Sequence, residues 1–141
     1  MTGKASAYVL DSYALLAYFQ AEPGGRTIAS LLQQAQSTSD VRLYLSVISA
    51  GEIYYITCRK LGADKAEELL SDLRKLPVTL CQATEERVFS AARIKAEYPV
   101  SYADAFVVGL AKEFNGLVVT GDPEFKAVEP LVDVLWLEAE R

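Results

Sequence analysis

The stretch that decides the fold runs from residue 8 to residue 19 and reads Tyr8-Val9-Leu10-Asp11-Ser12-Tyr13-Ala14-Leu15-Leu16-Ala17-Tyr18-Phe19. Its first three residues form a short apolar run that ends at Asp11, which is typical of a buried strand. The apolar segment from Tyr13 to Phe19 is too long to be a second strand and predicts a helix. A strand that leads into a helix is the repeating unit of parallel sheets.

The same alternation continues to the end of the chain. Four further apolar runs predict strands at residues 43–45, 78–80, 117–120 and 134–137. Helical patterns separate them around 28–35, over 47–61 with Gly62 as a cap, around 66–73, from Thr84 to before Pro99, and from Ser101 to about Phe114. We therefore expect an α/β fold with a parallel sheet, in a single domain that spans residues 1–141.

Composition limits the kinds of protein that this chain can be. Apolar residues make up 51% of its 141 residues and the mean hydropathy is +0.13, so the chain is too apolar to be intrinsically disordered. Its two cysteines have no CxxC spacing, and no apolar stretch reaches the ~18 residues of a membrane span. We expect a protein of the reducing cytoplasm that has no membrane segment.

The sequence contains no histidine, which excludes several kinds of catalysis. Ser-His-Asp and Cys-His systems, histidine general bases and histidine metal sites all require that residue. The phosphate-binding patterns GxxxxGK[ST] and GxGxxG are also missing. Any catalysis must therefore depend on carboxylates, hydroxyls, lysines or a bound metal.

Two aspartates follow predicted strands. Asp11 comes directly after the first strand, and Asp122 comes two residues after Thr120 at the end of the fourth. Ligands of open α/β sheets bind beyond the carboxyl ends of the strands, especially where the strand order reverses. Each aspartate also has a structural interpretation, because Asp11 suits a helix N-cap and Asp122 with Pro123 suits a turn.

A third acid, Glu52, lies within an apolar helical pattern. It stands between Ile48 and Ile56, at i−4 and i+4, so we expect it in the middle of an apolar stripe. The structural alternatives are a pairing with Arg59 or a place at the rim of the stripe, with the carboxylate in water.

A fourth acid, Asp104, lies on a helix that is apolar on all sides and is therefore predicted to be buried. It shares its face with Val107 and Val108. The alternative is structural, because Ser101-Tyr102-Ala103-Asp104 matches a capping box, in which the acid returns a bond to a backbone N–H.

These four acids are predicted to converge in one crevice, where carboxylates without a counter-charge would repel one another strongly. A hard divalent cation would relieve the repulsion, and oxygen ligands without His or Cys favour Mg²⁺ or Mn²⁺. Such a site activates water for in-line attack on a phosphodiester. Thr120 and Ser12 offer hydroxyls that position water or simply bond the backbone.

The net charge of −5 argues at first against nucleic acid as a partner. Without the four site acids, however, 15 acids remain against 14 basic residues, a net charge of −1. RNA therefore remains a candidate substrate. Six basic residues could rim the crevice, although dispersed charges are more often solvated surface. They are Arg26, Arg42, Arg59, Lys60, Lys95 and Lys126.

Four segments resemble the PIN-domain nucleases, and specifically the VapC-type toxins of prokaryotic toxin–antitoxin modules. They are YVLDSYALLAY at 8–18, GEIYY at 51–55, SYADAF at 101–106 and VTGDPEF at 119–125. Their order and spacing cover essentially the whole chain, and the four together are specific to this family.

The resemblance implies a PIN-like three-layer α/β/α fold with a five-stranded parallel sheet. It also implies a Mg²⁺- or Mn²⁺-dependent endoribonuclease, a homodimer, and a small antitoxin whose C-terminal segment blocks the crevice. The site residues that it implies are Asp11, Glu52, Asp104 and Asp122 as the acidic quartet, with Thr120 as the supporting hydroxyl. Related sequences often carry Asn three residues before the helix glutamate, where this chain has Ser49, so the hydrogen bonding near Glu52 is expected to differ.

Three other interpretations stay open. A haloacid-dehalogenase-like phosphatase also has an aspartate after its first strand, but Asp11-Ser12-Tyr13 lacks the second acid of its DxD pattern. A receiver-like signalling domain binds Mg²⁺ through acids, but Thr120-Gly121-Asp122 stands where its lysine would follow a late strand. An inactive PIN-like module for interaction or RNA processing would keep the fold without acting as a toxin.

Overall fold

The computed structural model describes residues 6–138, and its central element is a five-stranded sheet. Every strand pairs in parallel with its neighbours, which confirms the predicted α/β class. The strands are β1 (Ser6–Leu10), β2 (Val41–Ser46), β3 (Thr79–Cys81), β4 (Leu117–Thr120) and β5 (Val134–Trp136).

The strand order across the sheet is β3-β2-β1-β4-β5. From β1 the chain builds outward through β2 to β3, and it then crosses back to place β4 on the other side of β1. The order therefore reverses between β1 and β4, which are paired from Tyr8–Leu117 to Leu10–Val119. At such a point the segments that follow two neighbouring strands diverge and leave a crevice.

Six α-helices connect the strands within the described residues. They are α1 (Ser12–Phe19), α2 (Gly25–Ser37), α3 (Val47–Leu61), α4 (Ala63–Lys75), α5 (Glu85–Glu97) and α6 (Tyr102–Phe114). Gly62 ends α3 with a φ of 93°, as the sequence predicts, because glycine adopts positive φ without steric cost. Thr84 and Ser101 are the N-caps of α5 and α6.

Apolar side chains fill both faces of the sheet, which confirms the three-layer arrangement. Successive residues of a strand point to opposite faces, and the core divides accordingly. Val9 and Val118 belong to a cluster with residues of α5 and α6, whereas Leu10 and Val119 belong to a cluster with residues of α1, α2 and α3. The central strands β1 and β4 are therefore apolar on both faces, and their polar residues are confined to their ends.

One element is not anticipated by the sequence analysis, a 3-10 helix at Pro123–Val128 directly after β4. It is too short for a helical period to be visible, and it is held by the burial of Phe125 and Val128. Within residues 6–138, none of the helices combines the length and the apolar character that a membrane crossing requires.

The close contact between α1 and α2 depends on Gly25. A Cβ atom at this position would lie 2.6 Å from the carbonyl oxygen of Ala17. We expect Gly25→Ala to lower the free energy of unfolding by about 1–3 kcal/mol, because the two helices must move apart. Urea denaturation measures this change.

Gly51→Ala in α3 is the matched control, since open space surrounds this position. Alanine is a better helix former than glycine, so this variant should gain up to about 1 kcal/mol. If Gly25→Ala and Gly51→Ala changed the free energy of unfolding in the same direction, the close approach at Gly25 would be contradicted.

Candidate active site

The crevice between β1 and β4 begins with the buried carboxylate of Asp11, which is 2% exposed. Its Oδ1 accepts the Ala14 N–H at 2.8 Å, and its Oδ2 accepts the hydroxyl of Thr120. Asp11 is therefore the N-cap of α1 and at the same time joins the ends of two neighbouring strands. Asp11 is thus a helix cap and a residue of the crevice at the same time.

Asp122 also has both a structural contact and a place beside other acids. Its Oδ1 accepts the Glu124 N–H at 2.9 Å, and its own N–H donates to the Thr120 Oγ at 3.0 Å. The Thr120 hydroxyl thus lies between the segments that carry Asp11 and Asp122. This predicted supporting hydroxyl is fully buried.

Asp104 comes into the crevice from the first turn of α6, and it is 8% exposed. Its N–H donates to the Ser101 Oγ at 3.1 Å, which is the first half of a capping box. The Ser101 N–H donates instead to the Glu124 Oε1, at 3.0 Å. Because Glu124 accepts that bond, the carboxylate of Asp104 is not required as a cap and lies with the other acids.

Glu52 lies at the rim of the buried face of α3, where the stripe interpretation placed it in the middle. The buried residues of α3 are Ser49, Ala50, Ile53 and Thr57, and Glu52 is half-buried beside them. Its carboxylate is bonded by the hydroxyl of Ser12. The face with Ile48 and Ile56 is only partly covered, because α4 and α1 pack on the neighbouring faces.

Glu124 is the functional candidate that sequence reasoning missed. One oxygen each of Asp104, Asp122 and Glu124 lie within 4.8 Å of one another. Glu124 stands inside the segment VTGDPEF, but it follows a proline and no periodicity along the chain marks it as a site residue. Its bond to Ser101 and its distance to the other two acids show that it faces the crevice.

Burial and the repulsion by neighbouring acids disfavour the charged forms of Asp11, Asp104 and Glu52. Burial raises the pKa of Asp11 to about 7, and the charges of Asp104 and Asp122 add to the rise against the lowering effects of Thr120 and Ala14. Burial also raises the pKa of Asp104 to about 7, and Asp122, Glu124 and Glu52 add to the rise against the lowering effect of the Ser101 side chain. The pKa of Glu52 is raised by burial and by Asp122 and Glu124, while the Ser12 hydroxyl lowers it.

The residues of this crevice fit a hard divalent cation. The carboxylates supply only oxygen donors, which suit Mg²⁺ or Mn²⁺. The raised pKa values of Asp11, Glu52 and Asp104 arise from burial and from neighbouring acids, so a cation among them would remove the cause of the repulsion. The site therefore has the oxygen donors that a metal ion requires and a repulsion between carboxylates that a metal ion would relieve.

Ser49, where related sequences often carry Asn, is fully buried in the first turn of α3. Among the described residues, its Oγ is a buried side-chain atom for which no hydrogen-bond partner is found. The side chain that bonds Glu52 comes from α1, at Ser12, and not from this position.

The raised pKa of Asp104 predicts how the metal-free protein responds to pH. Between about pH 4 and pH 7 the folded state holds a proton that the unfolded chain has released, so stability falls as the pH rises through this interval. In EDTA, Asp104→Asn should therefore melt a few degrees above the wild type at pH 8, with a smaller difference at pH 5.

Asp72→Asn, which alters an exposed residue of α4, is the control and should match the wild type at both pH values. Melting curves followed by circular dichroism provide the measurement. An Asp104→Asn difference that is the same at pH 5 and pH 8 would contradict the electrostatic account.

Comparison with known proteins places this geometry in a family. The PIN domain family model matches residues 8–130. No curated protein matches the sequence.

Several solved structures share the fold at low sequence identity. A chain of VapBC2 from Rickettsia felis, bound to a promoter DNA fragment, is 15% identical with a TM-score of 0.72, and 94% of this chain covers 99% of that one. Mycobacterium tuberculosis VapC20, described as a Sarcin-Ricin loop cleaving toxin, is 16% identical with a TM-score of 0.68, over 96% and 100%. FitAcB from Neisseria gonorrhoeae is 21% identical with a TM-score of 0.65, over 91% and 96%. The family model covers most of the chain and the fold agrees with it, so this chain belongs to the PIN domain family.

Proposed function

We propose that the chain is a metal-dependent endoribonuclease and the toxin of a type II toxin–antitoxin system. The observation that carries the proposal is the group of carboxylates at the reversal of strand order, where Asp104, Asp122 and Glu124 lie within 4.8 Å of one another. Membership of the PIN family supports hydrolysis of phosphodiesters. The substrate class is supported by VapC20, which shares the fold and is described as cleaving the Sarcin-Ricin loop.

The proposed ligand set for Mg²⁺ or Mn²⁺ is the predicted quartet with Glu124 added: Asp11, Glu52, Asp104, Asp122 and Glu124. When bound, such a cation supplies an activated water and neutralises the charge that develops on the phosphodiester. Hydrolysis by this route needs no histidine, which agrees with the composition.

Two hydroxyls and one carboxylate position the proposed ligands. Thr120 holds Oδ2 of Asp11, and Ser12 bonds the Glu52 carboxylate. Glu124 accepts the Ser101 N–H and so connects the start of α6, which carries Asp104, to the segment after β4. Side chains held in this way lose less freedom when a metal and a substrate bind.

The partners form the second part of the proposal. The solved structures with this fold include toxin–antitoxin complexes, some with DNA, which supports a small antitoxin that covers the crevice.

A homodimer is supported by Phe89 on α5 and Tyr102 on α6, which are 55% and 43% exposed. Tyr102 Oη donates to the Val88 carbonyl at 3.5 Å, so α6 contacts α5 at the residue before Phe89. Free thiols at Cys58 and Cys81 agree with action in the cytoplasm, and we propose that the chain acts there as a single nuclease domain.

Asp104→Asn should reduce metal-dependent RNA cleavage by about 100-fold or more, because one buried ligand charge is removed from the site. The assay is cleavage of total RNA by purified protein with Mg²⁺, Mn²⁺ or EDTA, resolved as discrete bands. The matched control, Asp72→Asn, should cleave like the wild type. Full cleavage by Asp104→Asn in a contaminant-free preparation would sink the assignment of this site.

The antitoxin proposal predicts a stable complex with the product of a small open reading frame beside the gene. Coexpression and gel filtration coupled to light scattering should give a complex that contains two copies of this chain and does not cleave RNA. A monomer that never associates would remove the toxin–antitoxin role and the dimer, and would leave the nuclease proposal standing.

A further inference from the structure

A groove leads away from the acids between α1 and α3. Its cavity is about 220 Å³ in volume, and its lining residues are Tyr13, Leu16, Ala17, Gln20, Glu22 and Lys60. All but Lys60 come from α1 and the turn that follows it, and Lys60 reaches the groove from the last turn of α3.

The inner end of the groove adjoins the proposed metal site. The ring of Tyr13 lies over the backbone of Gly121, where a Cβ atom would be only 2.3 Å from Tyr13 Cε1. Gly121 is the residue between Thr120 and Asp122. A group that rests against Tyr13 is therefore next to the segment that carries two of the proposed site residues.

The two helices run side by side away from the site. Ser12 of α1 bonds Glu52 of α3 at the inner end. Gln20 lies eight residues after Ser12, Lys60 lies eight residues after Glu52, and both line the outer end. With a rise of 1.5 Å per residue, this distance is about 12 Å. Phosphates of one strand follow one another at about 3.4 Å of rise in a duplex, and an unstacked single strand is more extended, so the groove has the length of at most about three nucleotides.

Among the lining residues, one cation is able to hold a phosphate and one acid offsets its charge. Lys60 lines the outer end of the groove, and Arg59 beside it lies 5.1 Å from the centroid of the exposed Tyr55 ring. Glu22 is the one acid among the lining residues.

Three other cations, Arg42, Arg87 and Lys95, have positions or partners outside the groove. Arg42 is the second residue of β2 and lies near the amino ends of the strands, whereas the acids lie beyond their carboxyl ends. Arg87 pairs with Glu113, and Lys95 donates to the Val100 carbonyl.

We propose that the groove between α1 and α3 binds the RNA nucleotides next to the cleaved phosphate, with Tyr13 beneath the first of them and Lys60 holding a phosphate at the outer end. The inference rests on the proposed ribonuclease function and adds the path of the substrate. Tyr13 and Lys60 act in substrate binding and positioning, away from the reacting phosphate. An aromatic ring and a cation that line one groove can contact a base and a phosphate of a single-stranded nucleic acid.

The test measures binding separately from cleavage. Lys60→Gln and Tyr13→Ala are made in the Asp104→Asn protein, and fluorescence anisotropy with fluorescein-labelled bulk tRNA gives affinities over a range of salt concentrations. Lys60→Gln should weaken binding about three- to tenfold and reduce the salt slope by about one phosphate contact. Tyr13→Ala should weaken binding by a similar factor without changing the slope. Lys65→Gln at the exposed start of α4, where Lys65 pairs with Glu68, is the control and should bind like its parent.

The same substitutions in the wild-type background give the cleavage readout. Lys60→Gln should raise KM for bulk tRNA by the same factor and leave kcat within about twofold. Wild-type cleavage together with an unchanged affinity and KM in Lys60→Gln would overturn the groove and leave the nuclease standing. Loss of RNA binding in Lys60→Gln with a wild type that cleaves nothing would support the groove and remove the proposed function. A Lys60→Gln variant that loses only the antitoxin would assign the groove to a protein partner and overturn the inference, as would an absence of tRNA binding.

Discussion

The carboxylate of Asp11 is the contact on which the arrangement of the site depends. It caps α1 through the Ala14 N–H and joins β1 to β4 through the Thr120 hydroxyl. Because the same hydroxyl also accepts the Asp122 N–H, the ends of the two strands at the reversal of strand order are held by one buried group. Removal of the Asp11 oxygens would leave buried donors without acceptors, which costs more than the bonds are worth in isolation. The fold and the site therefore share one set of hydrogen bonds.

The grouping of several acids around that contact is costly for folding, and this cost is informative about function. Burial and mutual repulsion raise the pKa values of Asp11 and Asp104 to about 7. The folded, metal-free protein therefore loses stability as the pH rises through the range in which these groups ionise. A chain selected for stability alone would place apolar or hydrogen-bonded neutral residues there. Sites that violate the rules of packing in this way are commonly functional. A divalent cation bound there would convert the same repulsion into an attraction, so the electrostatic cost of the metal-free site would favour metal binding.

The strands, the capped helices and the positions of Asp11 and Asp122 were all readable from local patterns. Apolar runs that end at an acid, a glycine at the end of α3 and hydroxyl caps before α5 and α6 depend on neighbours within four residues of the chain. Glu124 was not readable in this way, because its partner, Ser101, lies 23 residues earlier in sequence. For Glu52 the apolar spacing was read correctly, but the face that α3 buries is set by the helices packed against it, so the acid came out at the rim.

By itself, the sequence determined the α/β class, four of the five candidate acids and the exclusion of histidine chemistry, since these follow from composition and from periodicity along the chain. Only the tertiary structure decided that β1 and β4 are neighbours, that Thr120 bonds Asp11 and that Glu124 joins Asp104 and Asp122. The physical reason is that carboxylate repulsion and hydrogen bonding act over a few ångströms in space. Such distances arise between residues about 110 positions apart only after the chain has closed its sheet.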